Sequence, residues 1–124
     1  MGTASKILIV NSDITDLSIT SILFSKKGYK VFAAKNNTIA KNYLITAKPD
    51  VVICDMAPHD YSNENTVGFL HDVNLMNIPL LVASGTTLSI NKLFNSNTKL
   101  LGFFSKPFFF EDLLVKINEI TQQA

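Results

Sequence analysis

The sequence predicts a doubly wound α/β domain: a parallel β-sheet with helices on both faces, built from alternating strands and helices as a three-layer (βα)5 sandwich with strand order 2-1-3-4-5. Three observations predict it. Four apolar runs stop abruptly at a small polar or charged residue. Lys6–Val10 stops at Asn11, Ser12 and Asp13; Val51–Cys54 at Asp55; Leu80–Ala83 at Ser84 and Gly85; Leu100–Phe104 at Ser105, Lys106 and Pro107. The runs are continuous rather than alternating, as strands buried on both faces are. The segments between them carry apolar residues at helical spacing, so strands and helices alternate and the strands run parallel.

Each element has its own signal. Asp13 is placed to cap a helix reaching about Lys27, with Asp16 in its first turn and Leu17, Ile22 and Leu23 among its apolar positions. Gly28 and Tyr29 end it. Val31–Ala34 is a shorter strand, expected nearer an edge. Asn37 is expected to cap a second helix, with Ile39, Ala40, Tyr43, Leu44 and Ala47 on one side and Pro49 closing it. Val67, Leu70 and Val73 mark a third helix, and Leu88–Phe94 a short further one. The last helix has Glu111 and Asp112 at the favourable end of its dipole and a stripe of Leu113, Leu114, Ile117 and Ile120. One domain is expected over residues 6–121, with frayed ends at 1–5 and 122–124.

Composition narrows the function classes. The chain has 124 residues, 47% hydrophobic and 17% charged, which suits a single globular core. The net charge is +1 without basic or acidic blocks, so no nucleic-acid footprint is expected. All 11 basic residues are Lys, which removes any bidentate guanidinium clamp on phosphate. The single Cys54 lies inside an apolar run and reads as a core residue. No apolar run is long enough to span a membrane, and no signal-peptide pattern is seen, so a cytoplasmic location and no membrane partner are expected.

In an open parallel sheet the site lies beyond the carboxyl ends of the strands. The run ends should therefore bring together the Asp55 carboxylate, the Ser84 hydroxyl, the Lys106 ammonium and the triplet Asn11-Ser12-Asp13. Their order along the chain resembles the receiver domain of bacterial two-component response regulators, over nearly the whole length from Lys6 to Ile120. Asp55 follows Pro49–Cys54 where that family has its phosphoacceptor. Ser84, before Gly85, stands where it has a conserved Thr or Ser. Lys106-Pro107-Phe108 matches its Lys-Pro-Phe, usually cis at the proline, and Phe103 occupies its switch aromatic. The resemblance implies a flavodoxin-like fold and a signalling role without enzymatic activity. It implies a histidine kinase or phosphotransfer protein as donor, a downstream protein or output domain as recipient, and Mg²⁺ as cofactor.

The chemistry stands without the family name. A phosphoryl-accepting aspartate is a covalent nucleophile, and the charge on the transferring group needs donors and cations around it. Lys106 and Ser84 can supply both. The chain departs from the family at the acidic pair that holds the metal, where Asn11 and Ser12 stand instead. Counting without gaps from Gly28 and Tyr29 puts Ser12, not Asp13, at the ligating place. The remaining metal donors would be Asp55, Ser12 and the Ala57 carbonyl, so Mg²⁺ should bind weakly or not at all. A pseudo-receiver, the same fold used as a phosphate-independent protein-binding module, is therefore the alternative. A mononucleotide binder ranks far behind, since no glycine-rich loop follows the first strand. His59 and His71 are expected to face solvent. Phe103 is expected mainly inward, because a ring without a hydroxyl is positioned by apolar burial alone.

Overall fold

The computed structural model describes residues 4–57, 60, 63–85 and 100–122, and for 100–103 the backbone alone. The elements are β1 (Lys6–Val10), α1 (Ile14–Lys26), β2 (Lys30–Ala34), α2 (Asn37–Thr46), β3 (Val51–Met56), α3 (Glu64–Leu75), β4 (Leu80–Ser84), β5 (Leu100–Ser105) and a last helix, α4 (Phe110–Thr121). The five strands form one sheet in the order β2-β1-β3-β4-β5, and every pairing is parallel. The expected fold class is the observed one. The weakest apolar run, β2, lies at the edge as expected. The helix expected at Leu88–Phe94 and the side chain of Phe103 lie outside the described residues.

Side-chain alternation in a sheet covered on both faces produces two cores. Leu8, Val10, Val52, Cys54, Met56, Leu80 and Val82 pack with α2 and α3. Ile7, Ile9, Val51, Ile53 and Leu81 pack with α1 and α4. Phe24 of α1 joins the second core through edge contacts with Phe110 at 4.8 Å and Tyr29 at 5.8 Å. Full burial of such a side chain is worth about 1.5–3 kcal/mol.

The helix signals hold with local corrections. Asp13 caps α1, its carboxylate accepting from the Asp16 N–H at 3.1 Å. The cap of α2 is Asn36 rather than Asn37: Asn36 is extended, and its side-chain oxygen accepts from the Ile39 N–H at 2.9 Å. Asn37 is already helical, and its amide instead donates to Thr66 Oγ1 of α3 at 2.9 Å. A cap must sit three residues before the N–H it holds, and both asparagines offer the same chemistry one step apart. In α3 the buried stripe is Thr66, Phe69, Leu70 and Val73, and Val67 is exposed. In α1, Leu17 and Phe24 are buried while Ile22 points outward, five positions beyond Leu17 and so well off its face. His71 is exposed as expected. In the last helix Leu113 and Ile117 are buried, with Leu114 and Ile120 packed against them.

Leu8→Ala removes a fully buried side chain from the interior strand β1 and should cost about 2–5 kcal/mol. Ile45→Ala, at a position 66% exposed, should change stability by less than about 0.5 kcal/mol. Urea denaturation midpoints of the two variants against the wild type check this pair of outcomes.

Candidate functional site

The strand ends gather the polar residues, but strand alternation divides them between two sides of the sheet. Asp55 follows Val51 and Ile53 in parity, so it emerges on the side of α1 and α4. Asn11 follows Ile7 and Ile9 onto the same side. Ser12 and Ser84 have the opposite parity. Asn11, Asp55 and Lys106 line one cleft of about 340 Å³ between α1 and α4. Ser12 shares with Asp55 a smaller cleft of about 140 Å³ on the other side, next to Lys35, Asp60 and Thr66. Ser84 lines neither. It is fully buried as the last residue of β4, where its Cα pairs with those of Met56 and Ser105. Among the described residues, the two-residue period of the strands thus sets Asn11 and Lys106 on one side of Asp55 and Ser12 on the other.

Lys106 is positioned by the end of β5. Its backbone N–H donates to the Ser84 carbonyl at 2.9 Å, and the Lys106–Pro107 peptide is cis. The ammonium reaches Asp55 Oδ1 at 2.5 Å. In this pair the Lys106 side chain is 39% exposed and that of Asp55 only 14%. Burial pushes the Asp55 carboxyl above its ordinary range. The hydrogen bond and charge of Lys106 oppose that shift, while the negative charges of Asp16 and Asp60 add to it. The neighbouring Cys54 thiol is pushed up to about 12 by burial and by the negative charges of Asp60 and Asp55, so it stays protonated.

Two acidic residues that the sequence reading gave no part in the site therefore matter. Asp16 lines the larger cleft, where its Oδ2 accepts from the Asn11 amide at 2.7 Å. Asn11 is 94% buried by complement, being only 6% exposed, and its Oδ1 accepts from the Asp13 N–H at 3.0 Å. One side chain thus ties the end of β1 to the first turn of α1. The signal was present: Asp16 is the third residue after its cap, where an acidic side chain reaches back beyond the helix start. Asp60 accepts from the Ala57 N–H at 2.7 Å, and its own N–H donates to the Ala57 carbonyl at 2.9 Å. Only the folded loop makes this visible.

The Mg²⁺ that the sequence resemblance implies finds a poor donor set. Hard divalent cations take oxygen cages that usually include one or two carboxylates. The Asn11 amide is engaged on both its oxygen and its nitrogen, and the Ala57 carbonyl already accepts a hydrogen bond. Among the described residues no group of three acidic, His or Cys side chains is placed to hold a metal ion.

No protein-family model matches the sequence, and no curated protein matches it. Solved structures do. A response regulator receiver domain protein (CheY-like) from Methanospirillum hungatei JF-1 superposes with a TM-score of 0.80 at 21% identity, over 97% of this chain and 96% of that one. The chemotaxis response regulator CheY4 of Vibrio cholerae gives 0.76 at 24% identity, over 95% and 99% of the two chains. A response regulator from Thermotoga maritima gives 0.74 at 18%, over 97% and 99%. The chain has the fold of CheY-like response regulator receiver domains.

The raised pKa fixes a pH dependence. An acid whose pKa rises on folding adds stability below its unfolded value of about 3.8, and that contribution is lost as pH rises through the folded value. Ionised Asp55 is therefore a burden at neutral pH. Asp55→Asn should raise Tm at pH 7, and the gain should vanish as the pH approaches 3. Thermal unfolding of both proteins across pH 3–8 measures it.

Proposed function

We propose that residues 6–121 act as a receiver domain in two-component signalling, taking a phosphoryl group on Asp55 from a histidine kinase or phosphotransfer protein. The observation that carries this reading is the Lys106–Asp55 pair, joined across the ends of β3 and β5. In the transfer, an Asp55 oxygen forms a bond to phosphorus as the bond from phosphorus to the donor's leaving group breaks. Lys106 favours the ionised nucleophile, then neutralises a phosphoryl oxygen. Ser84, at the end of β4, would donate its hydroxyl to a phosphoryl oxygen and so draw the end of β4 toward Asp55. That movement would pass the signal to Phe103 and to the surface around β5 and α4, where a downstream protein or output domain binds. Neither nucleic acid nor a membrane is a partner in this reading. A cytoplasmic location is part of the proposal, and no described helix is long and apolar enough to cross a membrane.

Incubation with acetyl phosphate followed by intact-mass measurement tests this. The wild type should gain one phosphoryl group, and Asp55→Asn should gain none. Lys106→Ala should gain it at least about tenfold more slowly, the loss expected for one charge-assisted contact to the transferring group.

One observation favours a second reading, the phosphate-independent protein-binding module. The Asn11 amide holds Asp16 in the cleft, and the negative charges of Asp16 and Asp60 act on Asp55 against the single pairing with Lys106. A phosphoryl dianion would add to that negative charge. Partner binding that is the same for wild type, Asp55→Asn and Ser84→Ala, with and without phosphodonor, selects this module. A phosphodonor-dependent gain lost in Asp55→Asn selects the switch.

Weak Mg²⁺ binding belongs to both readings. Restoring the acidic pair by Asn11→Asp with Ser12→Asp should tighten Mg²⁺ binding about tenfold or more, because it adds hard oxygen ligands beside Asp55. NMR-monitored titration of both proteins measures it, and equal affinities would mean that Asp13, Asp60 or Glu64 already supplies the missing ligand.

A further inference from the structure

The larger cleft has a second character besides its contact with Asp55. Its polar end holds Asn11, Asp16, Asp55 and Lys106, and its walls are apolar. Ile19 and Leu23 stand on α1, at the third and seventh positions after Asp16, and so continue that residue's face of the helix. Phe108, Phe110 and Leu113 stand opposite, at the start of α4. At about 340 Å³ the cleft lies at the lower end of the roughly 300–1,000 Å³ range of small-molecule sites. It is walled by two helices whose side chains face each other without closing it, and Ile19 remains 52% exposed at its mouth.

The charges at the polar end do not cancel. Lys106 is paired with one oxygen of Asp55, and Asn11 with one oxygen of Asp16. Asp55 Oδ2 and Asp16 Oδ1 make no hydrogen bond among the described residues. Among the described residues, two carboxylates against one ammonium leave the end of the cleft one negative charge in excess. A ligand that complements this cleft has an apolar body and one cationic donor. An anion would meet the excess negative charge, and a neutral apolar molecule would leave both carboxylate oxygens unpaired.

We propose that the cleft between α1 and α4 is a binding site for a small organic amine, a primary ammonium on an aromatic or branched aliphatic body, with the ammonium between Asp16 and Asp55 and the body against Ile19, Leu23, Phe108 and Leu113. The occupant is a free small molecule, which the size of the cleft fits. The site does not depend on phosphorylation of Asp55. Occupied, it would cover the carboxylate and hinder any phosphodonor, so the amine would act as an inhibitor of that chemistry.

The test is a titration of the full chain with phenethylamine hydrochloride at fixed pH and ionic strength, followed by methyl NMR. Saturable shifts are expected at Ile19, Leu23 and Leu113. Phenylacetate and 2-phenylethanol, which keep the ring and replace the ammonium, should bind at least about tenfold more weakly. Asp16→Asn, which keeps a side-chain oxygen to accept from the Asn11 amide while removing the charge, should weaken amine binding by roughly three- to tenfold. Thr20→Phe, which fills the cleft from α1, should abolish the saturable shifts while the remaining spectrum keeps its dispersion. The proposal is overturned if the three probes bind alike, if Asp16→Asn binds as the wild type does, if no saturable shift is seen, or if the shifts fall on remote residues such as Ile45 and Leu75.

Discussion

The two-residue period of a sheet buried on both faces is the constraint on which the rest of this molecule depends. It requires helices on either side, and it makes two cores instead of one. It also decides where every residue beyond the strand ends can go. Asn11 and Asp55 continue the α1–α4 face, whereas Ser12 and Ser84 continue the α2–α3 face. Among the described residues the two sides meet at Asp55, which borders both clefts. A one-residue slip of β1 would exchange Asn11 and Ser12, and would also turn Ile7 and Ile9 out of their core.

Given that placement, the electrostatics follow. A carboxylate that is largely withdrawn from water needs a compensating cation, and among the described residues Lys106 reaches it. The compensation is partial. Burial outweighs the lysine, and Asp16 and Asp60 add to the imbalance. Truncating Lys106 would leave a poorly solvated charge beside two others of the same sign, which is more disruptive than the modest worth of a half-exposed ion pair suggests. Asn11 sets how near Asp16 comes. Its amide bridges a carboxylate and a backbone N–H, so the first turn of α1 cannot move without breaking a nearly buried hydrogen-bond pair.

The fold was legible in the sequence because burial on both faces writes itself as unbroken apolar runs, and because their abrupt ends coincide with the crest of the sheet. Asp55 and Lys106 were legible for the same reason. What escaped had physical causes. Asn36 and Asn37 are chemically equivalent caps one residue apart. Val67 and Ile22 are apolar yet face outward, since type alone does not give helical phase. Ser84 was expected in the crevice because its neighbours are there, although counting parity along β4 puts it on the opposite face. The parts played by Asp16 and Asp60 depend on where short turns bring a side chain, and periodicity carries no record of that.

Tyr29 joins the start of β2 to the last turn of α4. Its ring packs on Phe24, and its hydroxyl hydrogen-bonds to Asn118 and to Thr121 at 3.0 Å, so the entrance to the edge strand β2 is fastened to the last turn of α4. An edge strand and a carboxyl-terminal helix are the elements that ordinarily fray first. Here neither can loosen alone. Opening the end of α4 strips a buried phenol of its partners, and peeling away β2 uncaps the helix's last polar side chains. The two should therefore exchange their amide hydrogens as one cooperative unit, although 89 residues separate Tyr29 from Asn118.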